Sequence, residues 1–563
     1  MGSVMAMPMR WWPIRWPRTG RRRAGRSGFP SPCGEEGRSW QFPSTPKPFT
    51  KPPAHPSPDR LVMTLPAVLG IDIGTSSVKA LLIDAEARVV GVGRGAYPTA
   101  QPAPGLSEQD PEDWKSAAIV AVRAALAGAE ARVEAISFSG HMSAPVLLGE
   151  DGAALAACHT IADQRSVGEI ALIDAALTAD IAARTGNFPA AHLTLPKLLW
   201  WKRHHPEIFA RTRFVLMPKD YLRLWMTGDI AADPTDSGNS MLFDASRRDW
   251  AEDLAKRAGI GAARLPRLRE PGEIAGALLP GPAEALGLAA GLPVVTGAAD
   301  MAAMLLGSGV DLAGDVAVTI GTSANVIAGL SRVEPSLIGA MNVEPGLAPH
   351  ELYAIGSHFG GGGALGWLAG LLSGAERPDP AVLAPVSLTA EGIALGSEGL
   401  IFLPYLSGGG SPSFDPAARG AFLGLAMKHG SAHMLRAIVE GVTCDLGASL
   451  DLFAGLAPRR RILFSGGGSR IAFWPQLLAD MSGLPVVNAS ASDASALGAA
   501  LIAGVGIGWF GDSFSAARAL VAPKGPAFEP RPTEATAELR RRFERAKIAR
   551  RPDLLAGQPF TSA

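Results

Sequence analysis

Three short polar groups in this chain have the residue types and spacing that phosphate chemistry needs. Two are Gly-Thr-Ser turns, Gly74-Thr75-Ser76 and Gly321-Thr322-Ser323, each closing one apolar strand and opening the next. Their surroundings are VLGIDIGTSSVKALLID from Val68 to Asp84 and VAVTIGTSANVIAGL from Val316 to Leu330. Glycine lets backbone approach an anion closely, and the neighbouring hydroxyls and N–H groups donate to phosphate oxygens. The third group is a carboxylate, Asp72, whose aligned position in the second tract is Thr319. Two donor-rich turns and one carboxylate match the needs of a single Mg²⁺-nucleotide held between two lobes. Either turn alone reads equally well as an ordinary hairpin. Their recurrence half a chain apart carries the reading.

A fourth group is Asp300, which follows the apolar segment Leu292–Gly297 and precedes the second turn by about twenty residues. A carboxylate there can accept the proton of a hydroxyl nucleophile as a phosphorus–oxygen bond forms. It reads equally well as the N-cap of a helix over Met301–Gly307, and the two roles are compatible.

The elements that must position these groups follow an α/β pattern. Strands are expected at Val68–Ile73, Val78–Asp84, Arg88–Gly93 and Val133–Ser139, the last running into Gly140-His141-Met142-Ser143. In LSEQDPEDW, Leu106–Trp114, Asp110 suits an N-cap and Pro111 a first helical position, with Glu112 and Asp113 at the positive helix end. That helix is expected to continue through Ala129. Later strands are expected at Leu400–Leu406 and at Arg461–Ser465, before Gly466-Gly467-Gly468-Ser469, with a helix from about Phe473. Strand, glycine turn, helix lets backbone lie against a nucleotide.

At 563 residues the chain is long enough for at least two full cores. Its 52 basic and 52 acidic residues balance, which argues against a nucleic-acid or membrane-surface role. Cys33, Cys158 and Cys444 lack metal-ligand spacing and fit a reducing cytoplasm. No apolar run reaches bilayer-spanning length. Residues 1–62 are rich in Arg, Pro, Ser and Trp without strand or helix period, as expected of a disordered stretch. Met63, directly before the first strand, is the expected natural start, with a real basic tail as the alternative. The expected division is then 63–309 for a first domain, 310–525 for a second and 526–563 for a terminal helix and tail.

From about Leu65 to Gly504 the chain resembles the FGGY carbohydrate kinases, and within them the xylulokinase-like group. Besides the two turns and SEQDPEDW, the ordered blocks are MPKDYLRLWMTG (Met217–Gly228) and DPTDSGNSMLFDASRRDW (Asp233–Trp250). GLPVVTGAADMAAMLLGSG (Gly291–Gly309) and LIFLPYLSGGGSPSFDPAARGAFLGL (Leu400–Leu425) follow. The last are LRAIVEGV (Leu435–Val442), LFSGGGSRIAFWPQLLADMSGLP (Leu463–Pro485) and ALGAA (Ala496–Ala500). The resemblance implies two actin-like, ribonuclease H-like domains around an ATP and sugar cleft. It implies Asp300 as the catalytic carboxylate and Asp72 as the Mg²⁺ holder. Thr75 and Ser76 would meet one side of the polyphosphate and Gly321 and Thr322 the other, with Gly362 and Gly467 on the adenosine side. The implied reaction moves the γ-phosphate of Mg-ATP to a ketose hydroxyl, D-xylulose first, in the cytoplasm. Sugar and ATP are the implied partners, and the oligomeric state, a homodimer included, is left open.

The sugar wall departs from that family's pattern. Ser143 stands where the xylulokinase-like Gly-Gln-Met-His motif has His, beside Met142, and Met301 stands where Asn or Gln follows the catalytic Asp. Gly408-Gly409-Gly410 replaces a Gly-Glu-Arg stretch, and Ile161 a Trp, although Asp163 and Arg165 keep the family's Asp-x-Arg. Asp233 and Asp236 read as turn residues or neighbours of the sugar. Another pentulose, hexulose or polyol is therefore the alternative substrate. A non-catalytic sugar sensor on the same fold is the rival of another class, opposed by retention of Asp72, Asp300 and both turns. Actin-like ATPases share the Gly-Thr turns but leave the sugar-kinase blocks unexplained.

Overall fold

The computed structural model describes residues 65–375, 378–489 and 493–549. The expectations for residues 1–62, and for the tail beyond 549, lie outside these.

The first lobe is built on a sheet whose centre is β1 (Leu65–Ile73). This strand runs antiparallel to β2 (Ser77–Ile83), which runs antiparallel to the edge strand β3 (Val89–Ala96). On its other side β1 runs parallel to β4 (Ala131–Gly140), and β4 parallel to a later strand. The outermost strand is β5 (Ile274–Ala277), antiparallel to its inner neighbour β6 (Pro293–Val295). Helix α1 (Pro111–Ala127) packs on β2 and β3, burying Trp114, Ala118, Ala121 and Val122. Asp110 caps it by accepting from the Glu112 N–H at 3.0 Å. The helix ends at Ala127, two residues before the expected end, with Gly128 as its cap.

The second lobe repeats this wiring. β7 (Asp315–Ile320) is antiparallel to β8 (Ala324–Leu330), and β8 to β10 (Leu352–His358), with β9 (Asn342–Pro345) on the edge. On its other side β7 is parallel to β11 (Arg461–Gly466), and β11 to β12 (Val486–Asn488). Both sheets thus share a centre of three antiparallel strands continued by parallel ones, the ribonuclease H-like arrangement, to which the first adds antiparallel β5 at one edge and the second antiparallel β9 at the other. Leu400–Leu406 gives only the three-residue strand Ile401–Leu403, since Pro404 lacks the N–H a ladder needs.

Four helices matter for the cleft: α2 (Pro218–Thr227), the single turn α3 (Pro234–Ser237), α4 (Asp300–Gly307) and α5 (Gly362–Ser373). A fifth, α6 (Ala494–Gly506), belongs to the second half in sequence but packs on β1, β4 and α4. Small residues allow that approach: a Cβ on Gly498 would collide with the Ala303 backbone, and one on Gly70 with Ala496 and Ala500. One core of buried residues consequently joins both halves, from Val68 and Ala303 to Leu463 and Ala500. Among the described residues no helix is long and apolar enough to cross a membrane.

Candidate active site

The register of the first sheet brings its chemical groups to one edge. Asp72 lies beside Ser139, and Ser139 beside Ala298; in the next row Ile73 lies beside Gly140, and Gly140 beside Ala299. The turn at Gly74-Thr75-Ser76, the tract His141-Met142-Ser143 and the pair Asp300-Met301 therefore leave the carboxyl ends of neighbouring strands. That is where parallel sheets bind ligands. In the second sheet Ile320 pairs with Gly466, so Gly321-Thr322 and Gly467 emerge side by side. Gly362 closes the corner: its N–H donates to the Gly321 carbonyl at 2.7 Å, and Gly363 N–H to the Thr322 carbonyl at 2.8 Å. A side chain at Gly362 would drive into that Gly321 carbonyl.

The two edges enclose a cavity of about 580 Å³, lined by Thr75, Asp300 and Met301 on one side and Gly321 and Thr322 on the other. Lys79, Asn325 and Ser465, not singled out in the sequence, line it too. Ser76, Gly362 and Gly467 stand beside this cavity rather than in its wall. Met142 and Ser143 are buried beyond it. Ser143 has φ 57°, and its carbonyl accepts from Lys197 Nζ at 2.6 Å. Asn239 Nδ2 meets the Met142 sulfur at 3.6 Å.

Asp72 is buried and accepts from Ser139 Oγ at 2.8 Å. Burial raises its carboxyl above the ordinary value, while the Ser139 bond and the Lys79 ammonium pull it back. Asp300 occupies the first position of α4 rather than the N-cap, which falls on Ala299. Partly exposed to the cleft, it is nonetheless pushed up to about 7, by desolvation first and by Asp72 second. Two carboxyls, one of them raised by the other and one held by the Ser139 hydroxyl, form a hard oxygen donor set that suits a divalent cation carrying phosphate and water ligands. Asp72 and Asp300 therefore fit Mg²⁺.

Several motifs act one step back. Gln109, from SEQDPEDW, donates to the Thr75 carbonyl at 2.8 Å and accepts from Trp114 Nε1 at 3.1 Å, so this block holds the first turn. Tyr97 OH bonds the Gly74 carbonyl. Asp163 accepts from Ser107 N–H at 2.7 Å and from Arg165, which also pairs with Glu108 at 2.7 Å. The Asp-x-Arg pair thereby braces the same block. Gly410 lies against the Ser357 backbone so closely that no side chain fits, and Gly408 has φ 93°, which accounts for two of the three glycines.

Family comparison agrees with this geometry. Residues 67–307 match the FGGY family of carbohydrate kinases, N-terminal domain, and residues 316–507 match the C-terminal domain of the same family. This chain belongs to the FGGY carbohydrate kinases. Xylulose kinase from Escherichia coli (strain K12) is 35% identical over 443 residues, covering 77% of this chain and 89% of that protein. Xylulose kinase from Bacillus subtilis (strain 168) is 32% identical over 447 residues, covering 79% and 89%. The crystal structure of xylulose kinase from Rhodospirillum rubrum superimposes with a TM-score of 0.78 at 30% identity, covering 86% of this chain and 98% of that one. As an FGGY kinase, the protein is a phosphotransferase that uses ATP to phosphorylate a sugar hydroxyl.

Proposed function

We propose that this FGGY kinase converts D-xylulose and Mg-ATP to D-xylulose 5-phosphate and ADP. The observation that carries the substrate is the similarity to xylulose kinases at 30–35% identity over roughly four-fifths of the chain. Asp300 is the general base in this reading. It accepts the proton of the sugar hydroxyl as that oxygen bonds to the γ-phosphorus and the bond from phosphorus to the β,γ-bridging oxygen breaks, releasing ADP. A carboxyl held near 7 suits proton transfer at neutral pH. Thr75 and Ser76 face Gly321 and Thr322 across the polyphosphate, and Gly362 and Gly467 leave room on the adenosine side. Asp72 would hold Mg²⁺, which neutralises phosphate charge when bound. Met142, Ser143 and Met301 form the sugar wall.

The departures at Ser143 and Met301 favour one second reading, a different pentulose, hexulose or polyol as best substrate. Lost hydrogen bonds to hydroxyls discriminate strongly between sugars. Purified protein assayed by ADP release with Mg-ATP and a panel of these sugars separates the two. The proposal expects the highest kcat/KM for D-xylulose; a higher value for another sugar replaces the substrate but not the reaction.

A further inference from the structure

Behind the cleft, the second sheet meets the segment 233–240 of the first lobe in a region dense with buried charge. Lys219 Nζ pairs with Asp220 at 2.7 Å, with Asp233 and with Asp236 at 3.2 Å, and Arg223 pairs with Asp220 at 2.9 Å. All five side chains are fully buried. From the other lobe comes Glu344, on β9, also fully buried, with neither carboxyl oxygen hydrogen-bonded. Its Oε2 lies 2.5 Å from where a Cβ on Gly238 would stand, so only glycine admits it. Cross-strand pairing sets Glu344 against Tyr353, whose hydroxyl is likewise without a partner.

Asn187 shows that this contact is built rather than incidental. Fully buried, it accepts from Val343 N–H at 3.0 Å and donates to the Val343 carbonyl at 2.9 Å and the Gly238 carbonyl at 3.5 Å. It thus ties β9 to the 233–240 segment one residue before Glu344.

The groups facing Glu344 and Asp236 are Lys219, Asp220 and Arg223 from α2, Asp233 at the cap of α3, Tyr353 from β10 and, farther off, Asp300 from α4. Unbalanced charge in a dry interior is costly. Asp220 and Asp233 balance Lys219 and Arg223, leaving Asp236 and Glu344 as the carboxyls that must carry protons. Burial raises both well above the ordinary carboxylate range; Asp236 raises Glu344 further, and Asp233 and Asp220 raise Asp236 while Lys219 pulls it back.

The same segment reaches the base. Thr235, next to Asp236, accepts through its hydroxyl from the Ala299 N–H at 2.8 Å, and Ala299 directly precedes Asp300. We propose that Glu344 is a positioning residue: as a neutral acid wedged against Gly238 and Asp236, it fastens the second lobe to the segment that aims Asp300. The inference rests on the assignment of Asp300 as base. Where rising pH ionises the pair, two like charges enter the contact and loosen it, so turnover falls on the alkaline side.

The test is kcat and both KM values across pH for wild type, Glu344→Gln and Glu344→Ala, with the best sugar of the panel. Wild type should lose kcat on the alkaline side. Glu344→Ala should lower kcat by about tenfold to a hundredfold at neutral pH, the scale of a base misplaced by about 1 Å, with the KM for ATP nearly unchanged. Glu344→Gln, a neutral group of the same shape, should rescue most of that loss and flatten the alkaline decline. A wild-type profile without decline, or the same decline in Glu344→Gln, overturns the proposal, and this comparison stands even if Glu344→Ala does not fold. Asp300→Ala run in parallel separates the two ideas: full activity there removes the base assignment itself.

Discussion

Replacing Asp300 with Asn should stabilise the protein while disabling it, and the gain should depend on pH. Burial and Asp72 lift this carboxyl from 3.8 to about 7. At about 1.4 kcal/mol for each pH unit, ionising it in place would cost about 4 kcal/mol. Asp300 is partly exposed to the cleft, and solvent screening reduces this to about 1–2 kcal/mol. Below pH 3.8 the group is neutral in folded and unfolded chains, and no penalty exists. Between there and about 7 the unfolded chain gives up its proton first, so the folded protein loses stability as pH rises; above about 7 the loss is complete. Asn carries no such penalty. Thermal unfolding of ligand-free wild type and Asp300→Asn, from about pH 5 to about pH 8, should show a Tm advantage for the variant. The advantage should grow with pH and level off at about 2–8 °C. Turnover of the same variant should fall by about 10²–10⁴. A Tm gain that ignores pH, or no gain at any pH, would refute the reasoning about this carboxyl.

Asp72→Asn should keep the fold, since Ser139 can still bond the amide, but depress kcat at saturating sugar and change the Mg²⁺ dependence; an unchanged magnesium titration removes the assignment. Gly362→Ala should raise the KM for ATP more than the KM for sugar, because a methyl there displaces the Gly321 carbonyl from its bond to the residue-362 N–H. Equal effects on both constants, or none, would contradict that placement. Ser143→His combined with Met301→Asn should shift the ratio of kcat/KM values toward D-xylulose with ATP binding unchanged; untouched ratios across the panel would disprove the wall assignment.

Much of this architecture was legible in the sequence because its signals are local. The apolar runs on either side of each Gly-Thr-Ser turn are the central hairpins of the two sheets, and Asp110-Pro111 starts α1 where capping chemistry puts it. Asp300 was legible as a carboxylate at the end of an apolar segment, but not its place inside α4, because one residue of backbone geometry separates cap from first turn. Glu344 and Lys219 were not legible. The ion-pair cluster needs the turn that folds Asp233 and Asp236 back onto α2, the β9 contact joins segments more than a hundred residues apart, and nothing in MNVEP marks its glutamate as buried. Gln109 was read as part of a motif; its bond to the Thr75 carbonyl needs the fold to bring α1's leading loop over the first turn.

The most direct measurement of the central claim is product stoichiometry. Protein incubated with Mg-ATP and D-xylulose, followed by phosphorus NMR and ADP quantitation, should yield one sugar phosphate monoester for each ADP, with neither formed when the sugar is omitted. The same mixture with Asp300→Ala should yield almost none. ADP without a sugar phosphate, or no sugar-dependent ADP from any member of the panel, would contradict a cleft that carries phosphate from ATP to a sugar hydroxyl.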